Sequence, residues 1–356
     1  MFEVVPLDTP PLGDRSYLVH DGEVAFVVDP QRDIDRVLEV VTARGVRVTH
    51  VFETHIHNDY VTGGRALAAA TGATYYVNGA DPVGFARSPI ADGEIVGVSE
   101  VLAVQARATP GHTFTHLAYV LLVDGKQVAV FTGGSLLYGT TGRPDLVGPD
   151  VTEALARAHW RSTRHLADRL DDETAVFPTH GFGSFCSIAP SEVTSSTIGT
   201  EREVNAVLTS DEEPFVADLL AGLDAFPAYY THMSPLNLDA PSRPPDLSPP
   251  AVVDCDELRR RIERGEWVVD LRNRGAFAAD HLAGTLNFGL DGSFATYLGW
   301  LIPWGRAAHP ARPDRRGGGR SPARTGADRH RSPRRGRGRR ADRRDWRPGA
   351  ADCVFR

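Results

Sequence analysis

Cysteine, lysine and long apolar runs are scarce in this chain of 356 residues. The three cysteines are too few and too scattered for a disulfide framework or a thiolate zinc site, so any metal would be held by His and carboxylate side chains. No segment approaches the roughly 20 apolar residues of a membrane span. The N-terminus also lacks a basic stretch followed by an apolar run, which is the pattern of a secretory signal. We therefore expect a cytoplasmic protein with no membrane partner.

Positive charge is concentrated at the end of the chain. Residues 305–356 contain 17 Arg and five Asp, a local net charge of +12, and Lys126 is the single lysine of the protein. Residues 1–304 then carry −19, the difference between the overall −7 and this +12. An acidic body disfavours a nucleic-acid surface, so we expect no nucleic-acid partner there. The oligomeric state is left open, with a homo-oligomer as one alternative.

Residues 305–356 have the composition of a segment that cannot build a core. Arg, Gly, Ala, Pro and Asp dominate, and the large apolar residues are Trp346, Val354 and Phe355. Three interpretations are open: a basic arm for nucleic acid, a disordered linker, or an out-of-frame translation of a GC-rich gene. We favour the third over a basic arm. It predicts that reading the gene one base away restores an apolar, periodic sequence.

The apolar pattern divides the chain into four regions. Up to about residue 238, β-rich runs such as "QVAVFTG" alternate with helical stretches such as "IDRVLEVVTARG", which is typical of layered α/β structure. The proline-rich stretch "LDAPSRPPDLSPPAV" predicts a stiff linker. We predict domains at 1–238 and 251–304, a linker at 239–250 and a tail at 305–356.

A long helix is predicted within "PDVTEALARAHWRSTRHLADRLDDET", which starts at Pro149. Asp150 or Thr152 is the expected N-cap residue. Leu155, Leu166 and Leu170 would form its broad apolar face.

Four histidines adjoin predicted strands in similar turns. His55 and His57 lie in "THIHNDYVTGG", residues 54–64, with Asp59 two residues further on. His112 lies in "TPGHT" and His180 in "VFPTHG". Residues at strand ends can turn toward one centre, and imidazole nitrogens are common metal ligands. Each histidine alone is more often a hydrogen-bonded loop residue, but together they predict a metal site.

The remaining histidines do not lie in a set of matching strand-end turns. We interpret them, His116 and His159 included, as solvent-facing or locally bonded.

These motifs, together with "FTGGSLLYGTTGRPDL", resemble the metallo-β-lactamase superfamily, over about residues 2–238. Within it they look like the branch of the persulfide dioxygenases and glyoxalase II-like enzymes. The resemblance implies an α/β fold, an αββα sandwich with metal at one edge of its two sheets, followed here by a partial rhodanese-like domain.

The resemblance also implies a ligand set, from which this chain departs twice. In the dioxygenase branch, iron is held by two histidines and one aspartate, and the histidines match His55 and His112. The aspartate is expected at position 134, which is Gly134 here, and Tyr60 stands where a histidine is usual. The loss of both argues against a binuclear hydrolase, so at most one metal ion is expected.

The remaining candidates could still hold one ion. Three imidazoles with an open fourth position are a common catalytic zinc set, so Zn(II) is the alternative to Fe(II). With iron, His57 and Asp59 would orient ligands or water, and His180 would face the substrate. Tyr60 is either a donor to bound water or substrate, or a partly buried aromatic. The candidate metal residues are His55, His57, His112 and His180, and the candidate catalytic residues are Asp59 and Tyr60.

Residues 267–288, "WVVDLRNRGAFAADHLAGTLNF", resemble the opening of a rhodanese domain, with departures at Ala276 and Asp280. A rhodanese needs a cysteine in a later loop, and this chain has none in that context. We expect no sulfurtransferase activity. The matching residues are Asp270, Arg272, Phe277, His281, Gly284 and Asn287.

The leading hypothesis is an enzyme that oxidises a low-molecular-weight thiol persulfide with dioxygen, giving sulfite and thiol, at one Fe(II). The first alternative is a glyoxalase II-like hydrolase of thioesters. The second is an inactive sulfur-binding module, because Gly134 replaces the expected ligand.

Overall fold

The computed structural model describes residues 2–188, 193–239, 253–290, 292, 294–305, 308–311 and 354–355. These form two compact units. The first contains the described residues up to Asp239 together with residues 294–304, and the second contains residues 253–290 and the later described residues. Residues 294–304 therefore pack with the first unit, which differs from the predicted boundary at 304. The predicted linker lies outside the described residues, except for Asp239.

Six strands form the first sheet: β1 (Glu3–Thr9), β2 (Asp14–His20), β3 (Val24–Val28), β4 (Arg47–Phe52), β5 (Thr74–Asn78) and β6 (Ser88–Ile90). They lie in sequence order across the sheet. The first three are antiparallel neighbours, whereas β3 to β6 are parallel. The connecting helices are α1 (Asp35–Arg44) and α2 (Gly64–Thr71).

Six further strands form the second sheet: β7 (Ile95–Gly97), β8 (Leu102–Ala108), β9 (Leu117–Val123), β10 (Lys126–Gly133), β11 (Ala175–Pro178) and β12 (Ser196–Thr197). Their order is β12-β11-β10-β9-β8-β7, with β10 and β11 parallel and the other pairs antiparallel. The helices are α3 (Thr152–Ala167), α4 (Ile198–Val204), α5 (Ala206–Thr209), α6 (Glu212–Ala221) and α7 (Tyr230–Asp239).

The two sheets pack face to face through large buried side chains. Phe26 of the first sheet meets Phe131 of the second edge-on, with ring centroids 6.0 Å apart. Phe52 and Tyr119 meet at 5.1 Å. Two further apolar clusters bury the helices against the outer faces, α1 and α2 on the first sheet and α3 and α6 on the second. This arrangement confirms the predicted αββα sandwich, since each sheet buries both faces.

The start of α3 differs from the prediction. A 3₁₀ turn at Pro149–Val151 leads into the helix, and the N-cap position is Val151, which has no side-chain cap. The Thr152 hydroxyl instead donates to the Gly148 carbonyl at 2.9 Å. The predicted cap at Asp150 or Thr152 is therefore wrong.

The second unit is small. It contains β13 (Val253–Asp254), α8 (Cys255–Glu263), β14 (Trp267–Asp270), α9 (Arg274–Ala279), β15 (Leu286–Asn287), β16 (Ala308–Ala311) and β17 (Val354–Phe355). The backbones of β16 and β17 pair with β14 and β13. These six residues belong to the tail whose composition predicts no core, and a strand edge can pair through its backbone alone. The last helix, α10 (Phe294–Leu301), belongs to the first unit. None of the described helices is long and apolar enough to cross a membrane.

Candidate metal centre

Strand ends from both sheets meet at one edge of the sandwich. β3 and β4 are parallel, as are β10 and β11, so the segments that follow each pair leave on the same side. β9 runs antiparallel to β10, which brings the loop before β9 to that edge. The Leu117 amide donates to the Thr54 carbonyl at 2.7 Å, and the Thr179 amide donates to the Gly133 carbonyl at 3.0 Å. The first bond joins the two sheets, and the second joins two strand ends of the second sheet, beside the predicted histidines.

His55, His112 and His180 converge there. A ligand nitrogen of each lies within 4.8 Å of the others, and the three side chains are at most 1% exposed. His180 Nε2 is 3.4 Å from His55 Nε2. This spacing fits three imidazole nitrogens around one cation.

His112 and His55 are each oriented through Nδ1. His112 Nδ1 lies 2.7 Å from the Arg143 carbonyl, which only accepts, so Nδ1 carries the proton. His55 Nδ1 lies 2.9 Å from the Thr54 hydroxyl, which donates to Asp29 Oδ2 at 2.7 Å and so accepts from His55. Both Nε2 lone pairs then face the centre, and His112 Nε2 has no hydrogen-bond partner among the described residues. Such outer bonds fix the tautomer that binds metal.

His180 is held by two buried carboxylates. Its Nδ1 lies 2.9 Å from Asp14 Oδ1 and 3.2 Å from Asp59 Oδ2. Burial lowers the pKa of His180, but the charges of Asp59 and Asp14 outweigh it and raise that pKa well above its usual value. Burial and the charge of Asp59 in turn raise the pKa of Asp14. A cation at His180 Nε2 would displace the proton held there.

His57 is turned partly away from the other three histidines. Its Nε2 lies 3.3 Å from Asp29 Oδ1, 3.3 Å from Glu53 Oε2 and 3.0 Å from the Tyr60 hydroxyl. Burial lowers the pKa of His57, but Asp29 and Glu53 outweigh it and raise the pKa to about 9. Its Nδ1 still approaches Asp59 and His180 closely enough to form a second candidate ligand set.

Tyr60 is buried, at 4% exposed, rather than only partly so. Its ring stacks on His57 with centroids 4.3 Å apart, and its hydroxyl contacts His57 Nε2. Among the described residues, its contacts are therefore with the protein's own groups. Tyr60 therefore packs against His57 and helps to fix its ring.

Gly134 gives His112 its space. A Cβ atom at position 134 would lie 2.4 Å from His112 Cδ2 and 2.9 Å from its Nε2. The Gly134 amide donates to His116 Nε2 at 3.0 Å, and its carbonyl accepts from the Gly142 amide at 3.0 Å, so the backbone is held on both sides. The expected aspartate does not fit at position 134 without displacing His112.

Two histidines that were expected to face solvent are buried. His116 is 1% exposed, stacks on His55 at 4.9 Å and accepts from the Gly134 amide. His159 of α3 is fully buried and donates from Nε2 to the Ser135 carbonyl. Of the two alternatives, solvent-facing or locally bonded, the first is wrong for both, since each is buried and bonds a backbone group beside the centre.

Three buried carboxylates that contact the candidate histidines escaped the sequence analysis: Asp14, Asp29 and Glu53. Asp29 and Glu53 each follow an apolar strand directly. This position could have identified them as candidate site residues. Asp29 accepts from the Thr54 amide at 2.7 Å and has a φ of 50°, which is rare for a residue with a side chain. Asp14, on an early strand, carried no local signal.

The second unit places its matching residues as a small polar cluster. Arg272 pairs with Asp270 at 2.6 Å, and the Asn287 amide donates to the carbonyls of both residues. The one free cysteine in the described part of the chain is Cys186, which is fully buried in the first unit. The rhodanese-like interpretation stays a prediction.

Comparison with known families agrees with this fold. The model of the metallo-beta-lactamase superfamily matches residues 10–180. The crystal structure of ETHE1 from Myxococcus xanthus is 30% identical with a TM-score of 0.57, covering 66% of this chain and 98% of that one. A metallo-beta-lactamase structure from Staphylococcus aureus has a TM-score of 0.76 at 26% identity, covering 87% of this chain and 91% of that one. The chain belongs to the metallo-β-lactamase superfamily.

Curated relatives within the superfamily carry two different activities in their names. A hydroxyacylglutathione hydrolase from a Polaromonas species is 31% identical over 172 residues, 47% of this chain and 62% of the relative. Two further hydrolases are covered over 58% and 61% of their lengths, so the chain spans less than two thirds of these enzymes. The human mitochondrial persulfide dioxygenase ETHE1 is 28% identical over 206 residues, 58% of this chain and 72% of the relative.

Proposed function

We propose that this protein holds one divalent metal ion between His55, His112 and His180 and oxidises a low-molecular-weight thiol persulfide. The observation that carries the proposal is the convergence of these three rings, with Nδ1 of each engaged by the protein and Nε2 turned inward. A buried nitrogen with no partner, such as His112 Nε2, is costly unless a ligand satisfies it. The donor set thus fits a metal ion.

A single ion is favoured over two. The aspartate that bridges two metals in this superfamily is replaced by Gly134, and a side chain there would collide with His112. The neighbouring position is filled by Tyr60, whose hydroxyl contacts His57. A mononuclear centre supports the dioxygenase more than a two-metal hydrolase.

The reaction would combine one persulfide, one dioxygen and one water to give one thiol, one sulfite and two protons. The terminal sulfur loses four electrons, which dioxygen accepts. A bound Fe(II) would supply coordination sites for both substrates. Asp59 would hold His180 through Nδ1 and provide the negative charge that the missing aspartate does not.

His57 and Tyr60 would act from beside the metal. The buried carboxylates of Asp29 and Glu53 favour a proton on His57, and this proton lies next to the Tyr60 hydroxyl. Tyr60 would thus help Asp29 and Glu53 to hold His57 in place beside the metal.

A metal-dependent thioester hydrolase is the second candidate. Three of the matching curated hydrolases are 31% to 34% identical, and a further one is 28% identical, the same as the human dioxygenase. A set of three imidazoles is also typical of catalytic zinc, which generates hydroxide from bound water.

Paired activity assays on the full chain separate these candidates. Protein from iron-supplemented medium should consume dioxygen and release sulfite with glutathione persulfide, and His112→Ala should lose this activity while the exposed His165→Ala retains it. Zinc in the protein, with cleavage of S-lactoylglutathione and no dioxygen uptake, would establish the hydrolase instead. Absence of metal and of both activities would leave a sulfur-binding module without catalysis. The thiol carrier, the cytoplasmic location and the oligomeric state stay predictions.

A further inference from the structure

Asn237 lies near the end of α7, far along the chain from the metal-binding loop that it contacts. Its side chain is 1% exposed and reaches the backbone of residues 57–62. This loop carries His57, Asp59 and Tyr60, whereas Asn237 itself touches none of the candidate ligand atoms.

The Asn237 amide makes three hydrogen bonds to this loop. Its Nδ2 donates to the His57 carbonyl at 2.8 Å and to the Tyr60 carbonyl at 2.8 Å. Its Oδ1 accepts from the Thr62 amide at 2.9 Å. These partners use both donors and the acceptor of a carboxamide and set its orientation, because a carbonyl cannot donate and an amide N–H cannot accept.

The end of α7 is itself anchored, so Asn237 has a fixed base. The Leu238 carbonyl accepts from the Gly84 amide at 2.9 Å, and the Asp239 carbonyl accepts from Arg65 at 3.2 Å. Both partners lie in the first sheet's layer, beside the loop. The loop is therefore held between the sheet and a helix from the end of the same unit.

We propose that Asn237 is a positioning residue that sets the backbone of residues 57–62, so that Asp59 holds His180 in its metal-binding orientation. Asp59 lies between the two residues whose carbonyls Asn237 binds, His57 and Tyr60, and its Oδ2 is 3.2 Å from His180 Nδ1. A loop freed at these points would let Asp59 withdraw, which would leave Asp14 alone to orient His180. The inference rests on the proposed metal site.

Cobalt(II) titration of the full-length metal-free chain tests this role. Co(II) in a site of three imidazoles gives visible absorption bands that report ligand number and geometry. Asn237→Asp places a carboxylate against two carbonyl oxygens, and Asn237→Leu removes all three hydrogen bonds at similar volume. We expect both variants to bind Co(II) at least tenfold more weakly than the native chain, with altered bands. Asn237→Ser, which keeps one hydroxyl donor, should lose less affinity.

Asn287 of the second unit provides the matched control. Its amide also donates to two backbone carbonyls, at 2.9 and 2.8 Å, within the second unit. Asn287→Leu should leave the cobalt affinity and bands unchanged. Melting curves of each metal-free variant identify any that is unfolded at the titration temperature, and Asn237→Ser then serves as the mildest test.

The outcomes separate this inference from the proposed function. If the native chain gives no cobalt bands, the metal site itself fails. If the native chain binds Co(II) and folded Asn237 variants bind it equally well with the same bands, Asn237 has only a structural role and the inference is overturned.

Discussion

Gly134 lies directly against the His112 ring, and this close contact limits which side chains can form the centre. A side chain at position 134 would enter the volume of the His112 ring, while the Gly134 amide and carbonyl are both bonded. The absence of the carboxylate therefore leaves no free space beside the His112 ring. In the proposed site, His180 would supply the third ligand instead, and Asp14 and Asp59 beside it would supply the negative charge.

Restoring the aspartate should harm the site. We predict that Gly134→Asp lowers the free energy of unfolding by about 1–3 kcal/mol, because overpacking moves a tightly held ring. It should also reduce the metal content of the purified protein. Melting curves and elemental analysis check both effects.

Gly97→Ala is the matched control, since a Cβ atom there meets nothing within 4 Å. It should leave stability and metal content near those of the native chain. A Gly134→Asp protein that is as stable as the native chain and holds more metal would contradict this account of His112.

At this scale the sequence identified histidines more readily than their partners. His55, His57, His112 and His180 stand out because they recur at strand ends, which local pattern reveals. Asn237 could not be predicted as a residue near the site, because its contacts depend on a loop some 175 residues earlier that packs against α7. Contacts of such separation leave no mark in local composition.

The helix α3 carries a buried histidine that should make stability depend on pH. Burial, partly offset by the bond to Ser135, lowers the pKa of His159 to about 4. As pH falls from the unfolded value near 6.5 toward 4, the unfolded chain gains a proton that the folded chain does not. Stability from this residue is present above pH 6.5 and is lost across that window, by on the order of 3 kcal/mol at most.

Chemical denaturation at several pH values checks this prediction. His159→Gln keeps an amide donor for the Ser135 carbonyl but does not titrate. The stability difference between native and variant chains should shrink or reverse as pH falls from 7 to 4. A difference that is independent of pH would show that His159 is accessible to protons in the fold.

The helix α10 covers a part of the first unit that adjoins the centre. Trp300 meets Phe185 edge-on at 5.2 Å, and the Thr296 hydroxyl donates to the Pro11 carbonyl at 3.0 Å. Phe185 precedes Cys186, which is fully buried. From this contact with the neighbouring residue we infer that α10 helps to shield Cys186 from solvent.

Loss of the Trp300 ring should expose Cys186. We predict that Trp300→Ala raises the rate of Cys186 alkylation by iodoacetamide several-fold, measured by peptide mass spectrometry on the full chain. Tyr297→Ala, on the exposed side of the same helix at 50% exposure, should not change the rate. Equal rates in all three proteins would mean that α10 does not shield this cysteine.

Elements with local patterns were predictable, and α10 shows why others were not. The helices α1 and α2 and the strands that bear the histidines follow from apolar periodicity and Gly or Pro boundaries. By contrast, α10 follows the second unit in sequence yet packs with the first. Its place in the first unit depends on the path of the chain, which composition does not encode.

At the scale of the whole molecule, the superfamily fold explains why four separated turns form one site. The parallel pairs β3–β4 and β10–β11 direct their carboxyl ends to the same edge, and the sandwich buries the loops that follow. The histidines lie at that edge because the fold places them there, and α7 returns to support one of their loops. The fold class was predictable from the motifs, whereas the choice of ligands depended on packing around Gly134.

The number of metal ions per chain tests the central claim most directly. Elemental analysis of the full-length protein, after purification without chelators from iron-supplemented medium, should find one divalent ion per chain. The metal content of His180→Ala should fall close to zero, because this change removes one of three ligands. The exposed His165→Ala should keep one ion per chain. Two ions per chain, or an undiminished ion in His180→Ala, would contradict a single centre formed by His55, His112 and His180.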